Sequence, residues 1–248
     1  MDWNELYNDL VKNYVHRIAR LNPTKRVVLF GNCHVAPIAY YLDSLSGHQW
    51  DVTIIVSWVF QFNGLSNYDM RQVNETIQAA IAKADLFVYQ RHVQEFGVQA
   101  DRIESFVKMN DAVIFVLPNL RLNFMANTTA LFAESLQQLR HSIETSDFPE
   151  FLFVVEHIRH IRFFCTELHP TAYVLFLIAV AVRQKSRGAT TVCNIDSYFD
   201  ETLREEFLGM MMTNRVSLPG LEEITSSVTE ITGIPCDVDS FGLPLKTT

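Results

Sequence analysis

The sequence predicts an α/β fold of three layers, a mostly parallel sheet flanked by helices. Three observations carry that expectation. Short apolar runs alternate with stretches of helical period through the first half of the chain. The runs are apolar at consecutive positions rather than at every second one, the pattern of strands buried on both faces. Breakers such as Gly31 and Pro118 close the runs, so each strand hands over to a turn and then to a helix.

Taken in order, residues 3–20 have the amphipathic period of a helix, ended by Asn22-Pro23, because proline disfavours helix in the residue before it. The run Arg26-Val27-Val28-Leu29-Phe30-Gly31 predicts the first strand. Residues 35–45 then take a helical period, with Pro37 near the start, where proline costs a helix little. Residues 50–58, rich in Val, Ile and Thr, predict a second strand. A helix over 68–84, a strand over 86–90, a helix over 98–109 and a strand over 112–117 follow, the last stopped by Pro118-Asn119. Beyond Asn127 the pattern is mainly helical (about 127–248), with candidates at 128–142, 171–185, 200–212 and 221–231. Residues 151–155 fit either a fifth strand or the start of a helix. The longest apolar run, residues 172–182, is 11 residues long, too short to cross a bilayer and suited to a buried helix.

A chain of 248 residues with 48% hydrophobic content supports a substantial core. Without a Pro/Gly/Ser-rich linker, a block of like charge or a repeat, a single α/β domain over 1–248 is expected. The net charge of −8 argues against a general nucleic-acid binder but leaves room for a local phosphate pocket. The opening Met1-Asp2-Trp3-Asn4-Glu5 lacks the basic start and apolar core of a signal peptide. The four cysteines show no spacing suited to zinc or to a disulfide framework. A reduced cytoplasmic setting, with no metal and no membrane span, is the expectation.

Ligands of open parallel sheets bind beyond the carboxyl ends of the strands. Here those ends read Gly31-Asn32-Cys33-His34, Ser57-Trp58, Gln90-Arg91-His92 and Pro118-Asn119-Leu120-Arg121, each polar or reactive. Cys33 falls between a strand end and a helix N-terminus, where the helix dipole favours the thiolate. It is a candidate nucleophile, or else a small buried hydrophobe. A nucleophilic thiol needs a base, and three histidines compete. His34 adjoins Cys33, His92 lies on the rim and could instead orient substrate, and His169 stands before Pro170 at the start of the apolar helix. In Glu156-His157-Ile158-Arg159-His160-Ile161-Arg162, Arg159 and Arg162 are suited to grip phosphates. The alternative is an amphipathic helix with Ile158 and Ile161 inward.

Phe30-Gly31-Asn32-Cys33 after a first strand, Gln90 ending the third, and His169-Pro170 before a long apolar helix together resemble the WcbI-type polysaccharide biosynthesis proteins, from about residue 26 to 182. These are bacterial capsule enzymes thought to bind coenzyme A and acetylate sugars. Members most often carry Gln after the Cys, where this chain has His34. The layout is also similar to the SGNH hydrolases, a Rossmann-like arrangement, with Cys33 where their nucleophilic Ser stands and Asn119 near their oxyanion Asn.

The resemblance implies acyl transfer from acetyl-CoA to a sugar or glycan precursor, with Cys33 as nucleophile or as the group that positions the thioester. His169 would serve as base, with His34 as a further catalytic candidate. Backbone N–H groups around Asn32 to His34, with Asn32, Gln90, His92 and Asn119, would meet the oxyanion or substrate. Arg91, Arg121, Arg159 and Arg162 would hold the cofactor phosphates. A thiol esterase of SGNH-like layout and a coenzyme A or nucleotide-binding module without chemistry are the alternatives.

Overall fold

The computed structural model describes residues 3–57, 69–90, 111–122, 129–166, 169–189 and 193–214. Its contacts divide into two compact units, residues 1–117 with 186–188, and residues 118–185 with 189–248.

The first unit runs α1 (Trp3–Asn13), β1 (Val15–Ile18), β2 (Lys25–Gly31), α2 (Val35–Leu45), β3 (Trp50–Val56), α3 (Met70–Ile81), β4 (Leu86–Gln90) and β5 (Val113–Leu117). Its sheet has the order β1-β3-β2-β4-β5. The β2–β3, β2–β4 and β4–β5 pairs are parallel, and β1 is an antiparallel edge strand beside β3. The α/β class and the mostly parallel sheet flanked by helices therefore stand as the sequence predicts. The chain departs from the expected pattern at the N-terminus, where the helix ends at Asn13 instead of running to residue 20. Tyr14 leaves the helix with φ +48°, and its N–H closes the last turn on the Leu10 carbonyl. Val15 to Ile18 then pair with β3, so tertiary pairing overrides the helical period. The predicted helix at 98–109 lies outside the described residues.

Register places the site. Phe30 of β2 lies beside Ile55 of β3 and Tyr89 of β4. These three pack with Val28, Phe87 and Val116 against Val73, Ile77 and Ile81 of α3. Strand side chains alternate between faces, so Gly31 and Gln90, the next residues along β2 and β4, turn to the opposite face, where α2 packs on β2 and β3. The order of the parallel strands reverses between β2 and β4. From β2 the chain passes to β3 on one side, then returns to β4 on the other. Such a reversal opens a crevice at the strand ends.

Helix α2 is buried on nearly every side, including its one acidic residue, Asp43. That carboxylate accepts from Arg20 Nη2 at 2.6 and 2.8 Å and from His48 Nδ1 at 2.8 Å. Its own carbonyl takes Ser46 Oγ at 2.7 Å. The C-terminal end of α2 is thereby tied to the chain on both sides of it.

In the second unit, α4 (Thr129–Glu144) leads through a 3₁₀ turn at Pro149–Leu152 into α5 (Phe153–His157). A two-strand ribbon, β6 (Phe164–Thr166) and β7 (His169–Pro170), precedes α6 (Ala172–Ser186), α7 (Ile195–Phe199) and α8 (Glu201–Asn214). Residues 151–155 are thus helical, with Pro149 at the first turn, as proline's fixed φ allows. Helix α6 is buried continuously from Ala172 to Val182, and its Tyr173 and Phe176 pack with Tyr198 and Phe207. Among the described residues no helix is long and apolar enough to cross a membrane. The predicted helix at 221–231 lies outside the described residues.

The Arg20–Asp43 pair yields a stability prediction. Arg20→Met removes the guanidinium and leaves the buried carboxylate to His48. A loss of roughly 1–3 kcal/mol is expected, the scale for an under-satisfied buried polar group. It would be read as a lower urea midpoint at neutral pH, and an unchanged midpoint would show that the pair contributes nothing.

Candidate active site

The turn after β2 is built by four residues that each constrain the next. Gly31 must be glycine because of what lies over it. A Cβ there would stand 2.9 Å from Val35 Cγ1 and 3.1 Å from Gln90 Cδ, and closer still to Gln90 Oε1. The missing side chain lets the Gln90 amide lie across the strand end, where its Oε1 accepts the Asn32 N–H at 2.9 Å. Asn32 Oδ1 then accepts the His34 N–H at 2.9 Å, an Asx turn that substitutes a side chain for a backbone partner. The Val35 N–H closes on the Asn32 carbonyl at 3.3 Å, and α2 begins with His34 as its N-cap. Ser57 locks the other side of the turn, since its N–H and Oγ both donate to the Gly31 carbonyl, at 2.7 and 2.9 Å. The sequence marks Ser57 only as one polar residue of the rim, whereas here it is buried and anchors the turn.

His34 and Gln90 are almost wholly buried, at 2% and 1% exposure. Gln90 Nε2 lies 3.5 Å from His34 Nδ1. Cys33, between Asn32 and His34, forms no disulfide and keeps partial exposure, at the head of an 11-residue helix whose first turn carries no acidic residue. The positive end of the helix dipole therefore acts on this turn, with no acid in the first turn of the helix to offset it. One expectation needs correction. The Asn32 and His34 N–H groups are occupied by Gln90 and Asn32, so they are not the donors for an oxyanion. Asn32 spends its oxygen on the turn, which makes its Nδ2 the atom it can offer to a ligand.

The second thiol described, Cys193, has the opposite environment. It is buried, its Sγ lies 3.5 Å from the Leu177 carbonyl, and burial pushes its pKa up to about 12. A thiol so held is protonated and unreactive at neutral pH. The Cys165 side chain and all of Cys236 lie outside the description, as do Arg91 and His92.

In the second unit, His169 pairs with Thr166 across the β6–β7 ribbon. It sits ahead of the helix rather than in it. Thr171 is the residue that caps α6, its carbonyl taking the Leu175 N–H at 3.2 Å and its Oγ1 facing the Val174 N–H at 3.4 Å. Burial, and then the positive charge of Arg121, lower the pKa of His169 below its ordinary 6.5. The imidazole is accordingly neutral at neutral pH, the form in which it can accept a proton. Asn119 donates its N–H to Ser142 Oγ at 2.7 Å. Its side-chain Oδ1 is buried without a partner among the described residues.

The basic segment is not the continuous amphipathic helix. Helix α5 stops at His157, with Ile158 buried and Ile161 in the bend that follows. The chain turns there because Phe163 is drawn into the cluster of Phe153 and Tyr198, at ring distances of 5.6 and 5.1 Å. Arg162 is buried, and its Nε donates to the Phe164 carbonyl at 3.0 Å. Arg121 and Arg159 are exposed and keep the chemistry suited to phosphate oxygens. Among the described residues no group of His, Cys, Asp and Glu is arranged to hold a metal ion.

The lowered pKa of His169 fixes a pH dependence. The unfolded chain binds this proton more readily than the folded one, so the stability tied to the neutral ring is complete above about 6.5 and is lost as pH falls below it. The urea midpoint of the unmodified protein should fall, relative to that of His169→Gln, between pH 7 and pH 5. A constant difference between the two over that range would contradict the burial of the ring.

Labelling with iodoacetamide at neutral pH should modify Cys33 before Cys193, as peptide mapping would show. Equal rates would mean that the second unit opens as fast as the reagent reacts.

The chain matches no family model, no curated protein and no solved structure, so a functional reading rests on the residues themselves.

Proposed function

We propose that this protein transfers an acyl group from coenzyme A to a sugar or glycan precursor, in the manner of the WcbI-type proteins its motifs resemble. The observation that carries the reading is the turn Gly31-Asn32-Cys33-His34, tied to Gln90 where the strand order reverses. It presents a partly exposed thiol at a helix N-terminus. In this reading the Cys33 thiolate adds to the thioester carbonyl, the bond from carbon to the coenzyme A sulfur breaks, and coenzyme A leaves as a thiolate that takes up a proton. An acceptor hydroxyl then adds to the acyl-Cys33, giving its proton to His169, and the carbon–Sγ bond breaks to restore the thiolate. The neutral state of His169 supports its role as base. The Nδ2 groups of Asn32 and Asn119 are assigned to the developing oxyanion. Arg121 and Arg159, with Arg91, are assigned to the phosphates of the donor, with His92 toward the acceptor.

The position of the thiol just after a parallel strand also fits the SGNH-like arrangement, in which water replaces the sugar hydroxyl. An assay with isotopically labelled acetyl-CoA and a panel of sugar acceptors separates the two. Label on the acceptor supports transfer, and label released only as acetate supports the esterase. Cys33→Ala should abolish turnover. His169→Ala should slow it roughly 100-fold or more, the scale of general acid–base catalysis, while the rise in melting temperature on adding coenzyme A is kept. Thermal stabilisation without any turnover would leave a binding module, and no stabilisation by millimolar coenzyme A would overturn the proposal.

A further inference from the structure

The structure assigns Gln90 a positioning role: it holds His34 as the neutral tautomer whose proton is on Nε2, so that the ring's one lone pair, on Nδ1, is taken up by the amide. The inference follows from which atoms can donate. A backbone N–H only donates, so the Gln90 atom 2.9 Å from the Asn32 N–H is the carbonyl oxygen. The amide has no freedom to flip without setting an N–H against an N–H. Its other terminus, Nε2, therefore faces His34 Nδ1 at 3.5 Å, and an NH₂ group only donates. Nδ1 must then present its lone pair, and a neutral imidazole with a lone pair on Nδ1 carries its proton on Nε2. A ring protonated on Nδ1 would point a proton at an amide proton, in a site where both side chains are buried.

Gly31 belongs to the same device, because any side chain there would displace the amide that reads the ring. The link runs from the backbone N–H of Asn32, through one glutamine, to the ring of the residue that follows Cys33. Its chemical consequence rests on the acyl-transfer reading. In that reading His34, its Nδ1 lone pair engaged by Gln90, is withdrawn from the base role, which goes to His169. The assignment of the tautomer does not depend on that reading.

Long-range ¹H–¹⁵N correlation spectra of the full chain test it without substrate. The His34 signals are identified by their disappearance in His34→Gln. In the unmodified protein at neutral pH, His34 should show an unprotonated Nδ1 and a protonated Nε2. Gln90→Glu keeps an oxygen for the Asn32 N–H and sets a second oxygen against the ring. Nδ1 should then shift into the protonated range. A protonated Nδ1 in the unmodified protein, or an unprotonated Nδ1 that persists in Gln90→Glu, would overturn the assignment. Should Gln90→Glu fail to fold, Gln90→Met serves in its place, and the pure Nε2–H pattern should give way to a mixture of tautomers. A pattern unchanged in Gln90→Met would overturn it equally. Absence of acyl transfer with the expected tautomer present would remove the function proposed above and leave this device standing.

Discussion

The hydrogen bond from the Asn32 N–H to Gln90 Oε1 is the constraint on which the rest of the site depends. It bridges neighbouring parallel strands at the point where the sheet order reverses, one residue beyond the last ladder position of β2. Without it the amide across Gly31 would have no fixed orientation. The Asx turn that starts α2 would then lose the strand-side anchor that holds Asn32. A buried polar side chain is stable only when its partners are supplied. Gln90 meets that condition with a backbone donor on one side and an imidazole on the other. The absence of a side chain at Gly31 is what gives it room.

Helix α2 transmits this order along its length. Its N-terminal end is held by the turn and its C-terminal end by Arg20 and His48 on Asp43. Between them, burial desolvates both tyrosines of the helix and raises their pKa, that of Tyr40 to about 12. A helix fixed at both ends and packed between them cannot slide or rotate without unpairing a buried carboxylate or a buried amide. The position of Cys33 relative to the sheet is then set by packing and by paired polar groups together. Rigid support of that kind is what a reacting group requires.

Much of the first unit was legible in the sequence, and the reasons are local. The apolar runs at β2 and β4, closed by turn residues, are the buried strands they read as, while the first residues of β5 lie on the exposed side, with Val113 open to solvent; the start of α2 follows from the turn residues before it. The antiparallel edge strand was hidden because Val15-His16-Arg17-Ile18 continues the amphipathic period of α1, and only its pairing with β3 decides the outcome. At the site, Gly31, Asn32, Cys33, His34 and Gln90 could each be named from strand ends. Their mutual bonds could not, because a glutamine at the end of one strand gives no sign of which backbone N–H it will reach. Arg162 shows the converse. Its charge reads as a phosphate grip, while the fold spends its Nε on a carbonyl two residues away.

The two described thiols show how one residue type acquires opposite properties. Cys193 is buried, and desolvation with the negative charge of Glu150 outweighs the hydrogen bonds that would favour the anion, so the proton stays. Cys33 keeps partial exposure at the positive end of a helix, where an anion has solvent and the helix dipole to favour it. The difference arises from position and not from composition, since both cysteines are followed by polar residues. Neutral imidazoles follow the same logic. His169 is kept neutral by burial and by a nearby guanidinium, a field that opposes a second positive charge. His34 is oriented by a dipole, that of the Gln90 amide, which selects between two neutral forms. Charge state is set first by burial in one case, and proton position by hydrogen-bond complementarity in the other.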